Sequence, residues 1–264
     1  MIIDKTKPHA VFLDIDGTLM APGNLLLLSE EKIPPKNISA IAEAQKLGHK
    51  MLINTGRGYS CLPECVFTQV KFDGFVTGLG SFIELDGNTA YNCPIDKNMT
   101  DMLLDYIMKN KKPCRFQGKT SKICYDPEKD LSPEWDMIYS KQDFYNILGN
   151  DFISKITIDR ELCGDYENFI SSNLNLYKTG NAGEAASKGC NKANGMQKAL
   201  DLLGIPRERS IAMGDSINDV EALLYAGTSV AMKNSDAQIK KICEYITSSD
   251  IDGGVGAAIE LLLL

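Results

Sequence analysis

The sequence predicts an α/β fold: a parallel sheet layered with helices, and a separate α+β module inserted in the middle of the chain. Three observations predict it. Short apolar runs end abruptly in polar or glycine residues, helical patterns alternate with them, and the central stretch reads as a hairpin followed by mixed strands and helices. A chain of 264 residues, 44% hydrophobic and 24% charged, has the length of one large domain or two modest ones and an ordinary globular composition. Its 22 glycines and 10 prolines are scattered without period, which excludes collagen-like repetition and compositional disorder.

In chain order, Ala10–Leu13 is the first apolar run and stops at Asp14. Met51–Ile53 precedes Asn54-Thr55, and Phe75–Thr77 precedes Gly78. Ser210–Met213 leads into Gly214-Asp215, and Ser229–Met232 into Lys233-Asn234. Runs apolar on consecutive residues are buried on both faces, as in a parallel sheet. The helical patterns Pro35–Leu47, Gly195–Leu203 and Asn218–Tyr225 stop at Gly48, Gly204 and Gly227. Glycine just past the last turn is the expected stop signal. Strand–helix alternation of this kind gives a layered α/β domain.

The middle differs. Ser81–Glu84, Asp86-Gly87-Asn88 and Thr89–Asn92 read as strand, turn and strand, with Asp-Gly a strong hairpin signal. Met99–Met108 is an amphipathic helix carrying Met99, Met102, Leu103, Tyr106 and Ile107 at helical spacing. Ile153–Ile158 and Leu174–Lys178 are β-like, polar proline-containing loops surround Asp126–Pro133, and a further helix is expected near Tyr166–Asn173. The expected division is 1–83 plus 185–264 for the α/β core and 84–184 for the α+β insertion.

A net charge of −7 and a pI near 5.0 disfavour broad nucleic-acid binding, since an acidic surface repels polyanions. One local positive pocket for a small phosphorylated ligand remains compatible with that balance. Leucine runs at 25–28 and 261–264 are far shorter than the roughly 20 apolar residues a bilayer span needs. No export signal or membrane segment is read, and eight dispersed cysteines without a C-x-x-C pair point to reduced thiols in a cytoplasm.

Three strand ends and one helix start are the candidates for chemistry. Asp14-Ile15-Asp16-Gly17-Thr18 follows the first strand directly. In an open parallel sheet, ligands bind outside the carboxyl ends of strands. Asp14 and Asp16, two residues apart, can converge there while Gly17 turns the chain. A calcium loop fails, because Leu19 and Leu25 stand where it needs Gly and Glu; a plain Asp-Gly turn with two solvated carboxylates is the alternative. Gly214-Asp215-Ser216-Ile217-Asn218-Asp219 ends another strand. Acids at two strand ends repel one another unless a cation sits between them, and hard oxygen donors suit Mg²⁺. The same residues also suit a helix N-terminus, Asp215 or Ser216 capping and Asp219 meeting the dipole. Thr55-Gly56-Arg57-Gly58 offers a hydroxyl and backbone N–H groups to an anion, and Lys188 or Lys192 can bring positive charge before the next helix.

Asp-x-Asp-Gly-Thr, then a strand-end Thr, then Lys, then Gly-Asp-x-x-Asn-Asp, in this order, resembles the haloacid dehalogenase superfamily over nearly the whole chain. Gly189-Cys190-Asn191-Lys192, Val230–Asn234 and the tail Thr247–Asp250 with Asp252–Val255 make it most similar to the Cof-type, sugar-phosphatase-like subgroup with a large α+β cap. One departure stands out: Leu79-Gly80 occupies the place of a frequent Asn-Gly pair.

The resemblance implies a Rossmann-like core, a cap, and an Mg²⁺-dependent phosphatase acting on a small phosphorylated metabolite, sugar phosphates first. It implies Asp14 as the nucleophile that forms an aspartyl-phosphate, and Mg²⁺ held by Asp14, Asp215 and the backbone carbonyl of Asp16. It further implies that Thr55, Gly56, Lys192 and Asn218 hold the transferring oxygens, with Asp219 orienting Lys192 or a metal water. Gly-Cys-Asn-Lys matches the family's spacing, which favours Lys192 over Lys188. The Asp16 side chain would protonate the leaving alkoxide and then deprotonate water. A halide leaving group needs no such acid, so a dehalogenase is disfavoured. A phosphomutase of the phosphomannomutase type and a ligand-sensing relative without turnover are the alternatives. His9, His49, Trp135, Arg57 and Asn234 carry no assigned role, and no cap residue has an assigned specificity.

Overall fold

The computed structural model describes residues 3–22, 32–128 and 134–264, and all structural statements concern these. The leucine run at 25–28 and residues 129–133 of the polar loop lie outside them. The first strands are β1 (Ala10–Leu13), β2 (Lys50–Asn54), β3 (Gly74–Thr77), β4 (Phe82–Leu85) and β5 (Asn88–Asn92). Next come β6 (Cys114–Gln117), β7 (Lys122–Tyr125), β8 (Asp136–Met137), β9 (Lys155–Ile158), β10 (Asn175–Thr179) and β11 (Ala182–Ala186). The last are β12 (Ser210–Gly214), β13 (Thr228–Ala231) and β14 (Tyr245–Ile246). The helices are α1 (Pro35–Lys46), α2 (Cys65–Thr68), α3 (Lys97–Asn110), α4 (Lys141–Leu148) and α5 (Gly164–Asn173), then α6 (Lys192–Leu203), α7 (Val220–Tyr225), α8 (Ala237–Ile242) and α9 (Gly254–Leu262).

Among the described residues these strands form two sheets. The larger is ordered β14-β13-β12-β1-β2-β3-β4-β5 and the smaller β10-β11-β9-β6-β7-β8. From β14 to β3 neighbouring strands are parallel, which makes the fold α/β. Alternate residues of β1 serve the two faces. Val11 and Leu13 pack with Ile41 of α1 and Ile259 of α9, whereas Ala10 and Phe12 pack with Met196 of α6 and Leu223 of α7. Phe12 and Leu13 are fully buried, each contributing about 2–3 kcal/mol. The chain leaves β1 toward β2 on one side and later returns to β12 on the other. A crevice therefore opens outside the carboxyl ends of β1 and β12.

The hairpin assigned to the insertion extends the core sheet instead. β4 pairs antiparallel with β3, and β5 with β4. Gly78, Leu79 and Gly80 all take left-handed backbone conformations, so the chain folds straight back onto the edge of β3. Gly80 also lets α6 dock: a Cβ there would lie 2.2 Å from the Asn191 carbonyl oxygen. Two helix boundaries differ from expectation. α6 begins at Lys192, because the Asn191 side chain caps it by accepting from the Asn194 N–H. Asn218 lies in a 3₁₀ turn, Ile217–Asp219, closed by a Ser216–Asp219 capping box, and Gly227 does not cap α7, which ends in extended Ala226.

The smaller sheet shows strict two-residue alternation. Cys114, Phe116, Ile156, Ile158 and Ala185 face Leu103 and Ile107 of α3 and Ile170 of α5. The intervening Gln117, Thr157 and Glu184 form the polar face, turned toward the core. No helix among the described residues is long and apolar enough to cross a membrane.

Candidate active site

Strand pairing places the two acidic motifs side by side. The Asp14 N–H donates to the Met213 carbonyl of β12 at 3.1 Å, so Asp14 and Asp215 leave adjacent strand ends. The loop after Asp14 closes on itself through Leu19 N–H to the Asp14 carbonyl (3.2 Å) and Gly17 N–H to the Met20 carbonyl (2.9 Å). Gly17 has a φ of +74°, and a Cβ there would lie 2.4 Å from Asp215 Oδ2. Only glycine brings the two motifs this close. Asn234 secures the same loop: its Nδ2 donates to the Gly17 carbonyl at 2.7 Å, and its Oδ1 accepts from the Asp250 N–H at 3.1 Å.

Lys192 joins them from α6. Fully buried, its Nζ lies 2.8 Å from Asp14 Oδ1 and 2.6 Å from Asp219 Oδ1. Lys188 instead donates to the Ser171 carbonyl at the surface, so of the two lysines only Lys192 reaches Asp14. The other oxygen of Asp219 accepts the Asp215 and Ser216 N–H groups, both at 3.1 Å. Asp219 thus orients Lys192 and the Asp215 backbone. Carboxylate oxygens of Asp14, Asp215 and Asp219 lie within 4.8 Å of one another.

Burial pushes the Asp14 carboxyl up to about 8, against the pull of Lys192 and with the help of Asp219 and Asp16. The lysine divides its charge between two carboxylates and cannot fully offset the desolvation of Asp14. Burial works to depress Lys192 as well, but Asp14 and Asp219 outweigh it and raise its pKa. Asp215 is pushed up to about 6 by burial and by Asp219. Arg57 grips Asp16 with a two-pronged pair, Nε to Oδ2 at 2.8 Å and Nη2 to Oδ1 at 2.6 Å. Four carboxylates against Lys192 and Arg57 leave the site formally two negative charges in excess.

This donor set fits a divalent cation. Asp219 already spends its oxygens on the lysine and the backbone, which leaves Asp14 and Asp215 as carboxylate donors. The Asp16 carbonyl accepts none of the backbone hydrogen bonds that close its loop. Hard oxygen donors of this kind suit Mg²⁺.

Thr55 is buried at the end of β2, and its Oγ1 accepts from the Arg57 N–H at 3.2 Å. Thr55, Gly56 and Asn218 line the floor of a crevice of about 490 Å³ together with Asp14, and Thr157 and Glu184 line its roof. The Gly58 N–H donates to Gln117 Oε1 at 2.7 Å, and Gln117 Nε2 donates to Thr157 Oγ1 at 2.9 Å. The Thr55–Gly58 loop is thereby tied to the roof.

Asp14, Asp16, Thr55, Gly56, Lys192, Asp215, Asn218 and Asp219 are therefore brought together, all eight at one crevice or its underside. Sequence reasoning missed the roof. Its signal was the alternation Lys155-Ile156-Thr157-Ile158-Asp159, whose polar members share the face opposite the helices. His9 and His49 sit at the opposite end of β1 and β2, ring against ring at 5.6 Å. Trp135 lies under the Arg115 guanidinium at 5.2 Å. Leu79, the departure from Asn, is fully buried against Ala186 and Cys190 despite a φ of 59°.

The family of haloacid dehalogenase-like hydrolases matches residues 11–259. The chain is 29% identical over 254 residues to 5-amino-6-(5-phospho-D-ribitylamino)uracil phosphatase YcsE of Bacillus subtilis, covering 94% of this chain and 93% of the relative. It is 26% identical over 257 residues to phosphoglycolate phosphatase 1 of Saccharolobus solfataricus, covering 96% and 95%. A solved structure of a haloalkanoate-superfamily phosphatase from Bacteroides thetaiotaomicron shares the fold, with a TM-score of 0.79 at 19% identity over 98% of this chain and 96% of that one. With acidic loops on adjacent strand ends and a family match over nearly its whole length, this chain belongs to the haloacid dehalogenase-like hydrolases.

Proposed function

We propose that the protein is an Mg²⁺-dependent phosphomonoesterase that transfers the phosphoryl group of a small metabolite, a sugar phosphate or similar ester, to Asp14 and then to water. The observation that carries this reading is Asp14 itself: a buried carboxylate beside Asp215, held by Lys192, on the floor of the crevice. In this reading the six-stranded module is the cap, and the core comprises the eight-stranded sheet with its hairpin.

Asp14 attacks phosphorus, forming the carboxyl–phosphorus bond as the ester oxygen leaves. Thr55, the Gly56 N–H, Lys192 and Asn218 bind the phosphoryl oxygens and meet the charge that spreads over them in the transition state. The Asp16 carboxyl gives the leaving oxygen its proton, then takes one from the water that cleaves the aspartyl-phosphate. Asp219 keeps Lys192 aimed. Bound through Asp14, Asp215 and the Asp16 carbonyl, Mg²⁺ would neutralise the carboxylates and the phosphoryl group so that the two anions can meet.

Phosphate release from a panel of hexose, pentose and polyol phosphates tests the reading. Steady release with Mg²⁺ that stops in excess EDTA is expected. Isomerisation that needs a bisphosphate primer would establish a mutase, and unchanged release in EDTA would remove the metal.

A thermal prediction follows from the titrations. Asp14 and Asp215 bind protons more tightly folded than unfolded, so metal-free stability is fully present below about pH 4. It falls as pH rises through about 6 and then 8. Metal binding displaces those protons, so Mg²⁺ should raise Tm little at pH 5 and on the order of 5 °C at pH 8 when saturating. A shift independent of pH in differential scanning fluorimetry would contradict it.

A further inference from the structure

The roof of the crevice holds a charged pair that the catalytic steps do not use. Lys155 on β9 is 1% exposed and its Nζ donates to Glu184 Oε1 on β11. The buried ammonium fixes the carboxylate in place. Its second oxygen, Oε2, accepts from no donor among the described residues. It points at the floor: a Cβ added to Gly56 would lie 2.8 Å from Glu184 Oε2 and 3.3 Å from Asn218 Nδ2. A fixed anion with an unused acceptor thus overhangs the place where the alcohol half of an ester must sit.

We propose that Glu184, anchored by Lys155, selects the leaving group: it accepts a hydrogen bond from a hydroxyl of an uncharged polyhydroxy alcohol and repels a leaving group that carries a carboxylate. The proposal rests on the phosphomonoesterase reading. Among the described residues the cations beside this space are engaged, Lys155 by Glu184, Arg115 by Asp159 at 3.0 Å and Arg57, which lines the crevice, by Asp16. A carboxylated leaving group would therefore meet Glu184 with no counter-charge, and like charges brought together are a strong means of rejection. A hydroxyl satisfies the bare oxygen, and Thr157, beside Glu184 across the sheet, offers another partner. Selectivity of this kind separates the chain from the phosphoglycolate phosphatase among its relatives.

The test compares kcat/KM for sorbitol 6-phosphate, 2-phosphoglycolate and p-nitrophenyl phosphate in wild type, Glu184→Gln and Glu184→Ala. Wild type should prefer the polyol ester to phosphoglycolate by at least about 100-fold. Glu184→Gln should shrink that ratio at least about tenfold, chiefly through a lower KM for phosphoglycolate, because the amide removes the repulsion. Glu184→Ala should shrink it further by also losing the hydroxyl contact. A wild-type ratio near one, or a ratio that both variants leave unchanged, overturns the proposal while p-nitrophenyl phosphate turnover upholds the hydrolase reading. Failure of wild type on all three esters overturns that reading, and this inference with it.

Discussion

Asp14→Asn should abolish turnover, by about 10⁴-fold or more, and yield no covalent phosphoenzyme. The amide is not nucleophilic and cannot displace the ester oxygen. Folding should survive, since Lys192 keeps Asp219 as its partner and the substitution removes a carboxyl that burial already disfavours as an anion. Asp16→Asn should behave differently. Its backbone carbonyl persists, so substrate affinity should change little, whereas proton transfer, worth typically about 10²–10⁴-fold, is lost. That loss should be smallest for p-nitrophenyl phosphate, whose acidic leaving group hardly needs a proton, and largest for a sugar phosphate. With the good leaving group the aspartyl-phosphate should accumulate, because in the proposed mechanism its hydrolysis also relies on Asp16. Equal losses on both esters with no trappable phosphoenzyme would remove the acid–base role from Asp16.

Lys192→Met should destabilise the protein by about 3–5 kcal/mol at neutral pH and abolish activity. The lysine is fully buried between Asp14 and Asp219, and without it both carboxylates stay desolvated with no counter-charge. Protonating Asp14, whose carboxyl burial already pushes up to about 8, relieves part of that penalty, so the loss should be smaller at pH 5 than at pH 8. The double variant Lys192→Met/Asp219→Asn should recover part of the stability, since an Asn oxygen can still accept the Asp215 and Ser216 N–H groups. Activity should not return. Urea unfolding of the three proteins reads both effects, and a single-variant loss below about 1 kcal/mol would show that the buried ion pairs do not hold this site together.

The parallel core was legible because its strands are apolar on consecutive residues, a pattern that only burial on both faces supports. β1 and β12 were readable for that reason, and the acidic residues that end them marked the candidate site. The hairpin was misplaced for a physical reason too. Asp86-Gly87 specifies a turn between two strands but says nothing about which sheet edge receives them. That was decided by the left-handed run at residues 78–80, which returns β4 to β3. The strands β6, β7 and β11 escaped notice because each is only four or five residues long, too short for a pattern to stand out from the polar residues and glycines around it.

By itself the sequence determined which polar residues stand at the strand ends and the helix start: two aspartates after β1, a threonine after β2, a lysine opening α6 and an acidic capping turn after β12. Each is a local feature, set by what a strand end or helix start can display, and local features are written in consecutive residues. Only the tertiary structure decided how they are charged and what faces them. Lys192 over Lys188, Arg57 on Asp16 and Glu184 above Gly56 are contacts between residues far apart in the chain. Burial and the distances between charges set their energies, and neither exists until the core has packed and, for Glu184, until the smaller sheet lies over it.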